Sequence, residues 1–163
     1  MPFPLRTTLG VTALAISCAA PAAPAAAASA KQDRVERAVV QQVNAVRAQH
    51  GLRALRRSRG LSRAADVKAR EVARTNVLSH ASPDGTPMMH RVRRYVDAHA
   101  FGETLGTTAR GGGEAAIIVR AWMSSPAHRA ALLSPKFRRV GVGRRATSGG
   151  SRSVIAVDLA SAR

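Results

Sequence analysis

After Ser134-Pro135 the apolar spacing of this chain changes period, and that change limits the folds open to it. Before it, apolar residues recur every three or four positions, the spacing of a helix face. After it, Val140, Val142, Val154, Ile155 and Val157 are β-branched and close to alternating, the spacing of strands. Thr147-Ser148-Gly149-Gly150-Ser151 lies between the two runs and has the composition of a turn, which predicts an antiparallel hairpin. Helices followed by strands predict an α+β domain, with helices packed around a small antiparallel sheet.

The helices can be placed by their stripes and caps. Val35, Val39, Val43 and Val46 predict a helix over 34–49, with Gly51 as its stop and Leu52 and Leu55 pinning the connection that follows. A second helix is predicted over 62–77, with Ser62 as N-cap. Its stripe of Ala65, Ala69, Val72 and Ala73 is narrow enough for close approach to another element. Ser82-Pro83-Asp84-Gly85 reads as a turn, and Thr86-Pro87 as a cap followed by proline opening a third helix to about residue 98. Residues 102–107 fit a short strand. The glycine-rich segment 108–113 does not match a phosphate loop, so no nucleotide is inferred. A fourth helix is predicted over 114–123, and Ser125-Pro126 opens a short one to Leu133.

Residues 1–30 read as a secretory signal peptide. A short basic start precedes the apolar run Leu9–Ala20, and Ala28-Ser29-Ala30 has the small-x-small form of a cleavage site. A retained anchor and a lipoprotein acylated at Cys18 are the alternatives, although Ala15 stands where a lipobox usually has Leu. The leader holds the chain's one cysteine, so residues 31–163 have neither a disulfide nor a thiolate with which to hold zinc or attack a substrate. A length of 163 residues suits a single domain, and 45% hydrophobic content is more than disordered chains usually carry.

The charge bears on partners. The chain has 26 Lys+Arg against 9 Asp+Glu, a formal charge of +17. Lysine stands only at positions 31, 68 and 136, and a high-GC coding bias would produce that arginine excess as readily as function would. The runs Arg56-Arg57-x-Arg59, Arg91-x-Arg93-Arg94, Arg138-Arg139 and Arg144-Arg145 read as solvated faces that attract polyanions. Secretion favours anionic envelope polymers or lipids over nucleic acid. Beyond the leader only Tyr95, Phe101, Trp122 and Phe137 are aromatic, too few for a stacking platform for bases or sugars. Trp122 shares a helical stripe with Ala115 and Val119 and reads as core.

Several short motifs occur in order along this frame. Asn44-Ala45-Val46-Arg47 precedes Gly51-Leu52 and Leu55; Leu78-Ser79-His80 precedes Asp84-Gly85. Gly102-Glu103-Thr104-Leu105, then Trp122-Met123-Ser124-Ser125-Pro126-Ala127-His128-Arg129, and finally Gly141-Val142-Gly143 complete the series. The series resembles the CAP superfamily, also called SCP or PR-1-like, in its bacterial secreted branch, over nearly all of residues 31–163.

The resemblance implies a three-layer α-β-α sandwich and a cleft lined by two histidines and two glutamates, which in some members binds zinc or another divalent cation. By position His80, Glu103 and His128 would line it. Ser125 stands where the second glutamate is usual, and Thr104 where Asn is usual. Two imidazoles and a carboxylate make a three-ligand zinc site with open positions. The lost carboxylate, the basic field and Arg129 beside His128 predict a weak divalent site or an empty one, with Glu103 orienting the histidines and the imidazole pKa values lowered.

Serine catalysis is disfavoured. Ser125 precedes a proline and is expected to commit its hydroxyl to capping the next helix, and no Asp stands near His128 to orient it. A lone Glu103 also lacks the partner carboxylate of most glycosidases. The sequence therefore predicts a secreted, extracellular, monomeric and non-enzymatic binding module, with a metal-dependent hydrolase using the same cleft as the alternative.

Overall fold

The computed structural model describes residues 23–162. In chain order the elements are α1 (Ala23–Gln49), β1 (Arg56–Arg57), α2 (Arg59–Thr75), α3 (Met88–Arg93), β2 (Phe101–Ala109), α4 (Glu114–Met123), α5 (Pro126–Leu132), β3 (Arg139–Ala146) and β4 (Arg152–Ala160). The strands form one four-stranded sheet in the order β1-β3-β4-β2. β4 runs antiparallel to both neighbours, as the hairpin reading expects. β1 adds a parallel edge beside β3, so the sheet is mixed rather than wholly antiparallel. This α+β fold has three layers, with α2 on one face of the sheet and α1 and α4 on the other.

The two-residue period of β4 decides which layer each residue serves. Ile155, Val157 and Leu159 join Val39, Val43, Ile118 and Trp122 in the larger core under α1 and α4. Val154 and Ala156 turn the other way, onto Ala65, Ala69 and Val72 of α2. On that second face α2 lies almost directly on the β3 backbone. A Cβ added at Gly141 would stand 2.1 Å from the carbonyl carbon of Leu61, and one at Gly143 would stand 2.3 Å from the amide nitrogen of Asp66. Both glycines are thus required by contact, which explains why the stripe on α2 is built from alanine.

The motif Asn44-Ala45-Val46-Arg47 has a local physical role. Asn44 clips the connection after α1 through two bonds to the Leu55 backbone, its Oδ1 accepting from the amide at 2.8 Å and its Nδ2 donating to the carbonyl at 3.1 Å. Arg47 is fully buried and donates to the carbonyls of Arg53, Leu132 and Ser134. One guanidinium therefore ties the turn after α1 to the far end of α5, and these carbonyls give its own buried N–H groups partners.

Several boundaries differ from those predicted. α2 begins a turn early, because Ser58 rather than Ser62 is the N-cap, its Oγ accepting from the Leu61 amide at 3.4 Å. It ends at Thr75, where Asn76 adopts a left-handed φ of 56°. α3 is shorter than expected: its N-cap is Pro87, and Asp84 instead bonds the Thr86 amide in a local turn. α1 extends back to Ala23 through an alanine-rich stretch that favours helix, with Pro24 tolerated in the first turn. Most of the expected 1–30 leader, residues 1–22, lies outside the described residues. Among the described residues no helix is long and apolar enough to cross a membrane.

Candidate functional site

Strand register builds the centre of the site. Glu103 on β2 stands directly opposite Asp158 on β4, so two carboxylates face each other on the α2 side of the sheet. Both are buried. Arg91 comes down from α3, itself only 3% exposed, and pairs closely with Glu103 Oε2. Its other terminal nitrogen donates to Ala64 O at 3.1 Å and lies 3.7 Å from Asp158 Oδ2. Lys68, fully buried on α2, pairs with Glu71 at 2.5 Å and donates to Ala81 O at 2.7 Å, which fixes the loop bearing His80. His80 completes the group through Nδ1, 2.7 Å from Glu103 Oε1.

The charges of this cluster nearly cancel. Lys68 balances Glu71 and Arg91 balances Glu103. Asp158 is the remaining acid. Ionised, it has no hydrogen-bond donor on either oxygen. Burial, then the neighbouring Glu103 charge, pushes its pKa well above the ordinary carboxylate range against the opposing pull of Arg91. A proton on Asp158 removes the surplus charge and gives the carboxyl a donor to turn toward Glu103.

The two histidines shift in opposite directions. The bond to Glu103 raises the His80 pKa, outweighing burial; the Glu103 charge helps, while Lys68 and Arg91 oppose. The expectation that the cationic surroundings would lower both imidazoles is therefore wrong for His80, because the acceptor beside it wins over charges farther away. His128, half-buried on α5, is lowered by burial first and by the His80 charge second. In a histidine titration followed by NMR, His80 should have its midpoint above ~6.5 and His128 below it. The reverse order would contradict this geometry. Linkage gives the sign for stability: the His80 contribution is complete below its unfolded pKa and is lost as pH rises through the folded one. The His128 contribution has the opposite sign, so protonating that ring at acid pH costs stability.

The structure thus joins His80 to Glu103 and sets His128 within electrostatic reach of His80, without a bond linking all three. Ser125 lies at the N-cap of α5 with extended backbone, but its hydroxyl makes no capping bond. The expected commitment of that hydroxyl is therefore not met: it takes no bond from the amides of the first turn, while the Ser125 carbonyl accepts the first helical bond from Arg129 N at 2.8 Å. What still argues against a Ser–His pair is His128 itself, whose basicity no carboxylate raises.

The residues do not fit a metal of the kind the resemblance implies. Among the described residues no group of three or more His, Cys, Asp and Glu side chains is arranged to hold an ion. Glu103, the carboxylate such an ion would use, is already paired with a guanidinium. Arg91, Lys68 and Asp158 are site residues that the sequence reading does not include. Signals for two of them are present: Lys68 interrupts the apolar stripe of α2, and Asp158 interrupts a buried strand. Arg91 lies in a run read as a solvated face, and Arg144 in another such run is also buried, held by both oxygens of Glu114 at 2.8 and 2.9 Å.

Residues 40–157 match the family described as Cysteine-rich secretory protein family, CAP, and the chain belongs to it. The bacterial protein YkwD from Bacillus subtilis (strain 168) is 33% identical over 106 residues, 64% of this chain and 40% of that protein; the chain thus matches less than half the length of this relative. Among solved structures, an outer surface protein from Borrelia burgdorferi superposes with a TM-score of 0.69 at 22% identity, covering 78% of this chain and 92% of that one. An extracellular protein containing an SCP domain from Bacillus anthracis strain Ames gives 0.66 at 22% identity, covering 88% of this chain and 45% of that one.

Proposed function

We propose that this CAP-family chain is a secreted, non-enzymatic binding module of the bacterial envelope or extracellular space. The observation that carries the reading is the Arg91–Glu103 pair. An enzyme built on this constellation would need Glu103 free to hold a metal or take a proton, and here its charge is matched by a buried guanidinium from the same chain. His80, its side chain 57% exposed, is then the group that meets a ligand, and Glu103 is the residue that positions it. Beside it the loop bearing Ser79 and Ala81 and the end of α2 enclose a cavity of about 200 Å³, below the volume of most small-molecule sites. The similarity to proteins described as extracellular and outer surface supports secretion, as does the leader read in residues 1–30.

The alternative, a metal-dependent hydrolase on His80, Glu103 and His128, makes a distinct demand. Ester and peptide substrates incubated with the protein and zinc, manganese or magnesium should show no turnover above a His80→Ala control. Metal-dependent turnover that disappears in that variant would establish the hydrolase and end the binding reading.

A further inference from the structure

The sheet edge at β1, on the opposite side of the sheet from β2 and Glu103, concentrates charge that the cleft does not use. Among the described residues, Arg56, Arg57, Ser58, Arg138, Arg139 and Ala162 line a cavity of about 390 Å³, and none of these side chains is a carboxylate. Among the described residues Arg138 and Arg139 donate to backbone carbonyls, those of Pro135, Phe137, Ser161 and Asp97, and neither forms an ion pair. Arg56 and Arg57 are exposed. β1 is an edge strand: Arg56 N and Ser58 N bond Arg138 O and Val140 O, and strand alternation turns the Arg57 N–H outward as a further donor.

We infer that this edge binds phosphate groups repeated along a linear polyanion. Guanidinium forks match phosphate oxygens, and four of them without an acid form a stronger anion site than the chain's average charge provides. Among the described residues no aromatic or large apolar side chain lines this central cavity, so it offers bases no stacking surface and lipid tails no anchor; an aromatic, Tyr95, enters only in one flanking cavity. Two neighbouring cavities share Ser58 and continue the edge, one with Arg59 and Arg63, the other with Arg93. They also carry Asp33, Glu36 and Asp97, which makes the central cavity the anchor and the flanks the path of the chain. This surface is separate from the His80 cleft and does not depend on the function proposed for it.

The test is binding of end-labelled inorganic polyphosphate to the full chain by fluorescence anisotropy across a salt series. R56Q/R57Q is compared with R74Q/R120Q, which removes the same charge from exposed positions on α2 and α4. Thermal midpoints check that both remain folded. The edge variant should lose about tenfold or more in affinity and flatten the log–log salt slope by about two, against about twofold or less for the control. Equal losses in the two variants would reduce the effect to net charge and overturn the inference. An unchanged edge variant would do the same, leaving these arginines only the role of blunting edge-to-edge pairing. Orthophosphate should compete only at far higher concentration; equal potency would make this a single-phosphate site and defeat the polymer claim. Phosphatidylglycerol vesicles and single-stranded DNA complete the comparison. Selective loss of either by R56Q/R57Q, with polyphosphate binding retained, would assign the edge to a lipid surface or a nucleic acid instead.

Discussion

Replacing Arg91 with methionine should cost about 3–5 kcal/mol of folding stability, the usual penalty for removing one partner of a buried ion pair. The methylenes can be replaced, but the guanidinium cannot: Glu103 and Asp158 would face each other across β2 and β4 with no cation between them. The double variant Arg91→Met/Glu103→Gln should recover more than half of that loss, because it leaves no buried charge unpaired while retaining an acceptor for His80. Chemical denaturation of the two variants and the parent measures both quantities. A single variant costing less than about 1 kcal/mol, or a double variant as unstable as the single, would mean that Arg91 does not neutralise the cluster.

Trp122→Ala should be comparably severe, at about 3–5 kcal/mol, for a different reason. The indole is 2% exposed in the larger core and packs over Gly106, where an added Cβ would stand 3.1 Å from its Nε1. Nε1 donates to Leu105 O at 3.3 Å, which gives the one polar atom of the ring a partner. Truncation would leave a cavity between α4 and β2 that rigid strands cannot fill. The measurement is the denaturation midpoint. A variant that keeps its midpoint but loses ligand binding would turn the indole from core into a ligand platform.

How far the sequence can be read depends on whether a residue's role shows in its local pattern. α4 follows its prediction residue for residue, because Gly113 and Glu114 open it and Ser124-Ser125-Pro126 closes it. The hairpin of β3 and β4 is equally clear in its valines. β1 is not, since two exposed arginines have no apolar alternation to display. Ser58 and Ser62 are both acceptable caps on local grounds, and Leu61 decides between them by being buried inside the helix. His80, Glu103 and His128 are located through family motifs rather than periodicity. Arg91 escapes a local reading because burial of an arginine depends on a carboxylate twelve residues away in sequence and on another strand. That pairing changes what the site can do, and no local spacing in the chain announces it.

Glu103 is paired with Arg91, and the proposed function stands on that pairing. Titration of the purified protein with zinc near neutral pH, followed by calorimetry, tests this directly. The predicted result is no binding tighter than about 1 mM at His80, and no difference between the parent and either His80→Ala or His128→Ala. Micromolar, one-to-one zinc binding that both histidine variants abolish would contradict it, and would show that Glu103 can leave the guanidinium to complete a metal centre with His80 and His128.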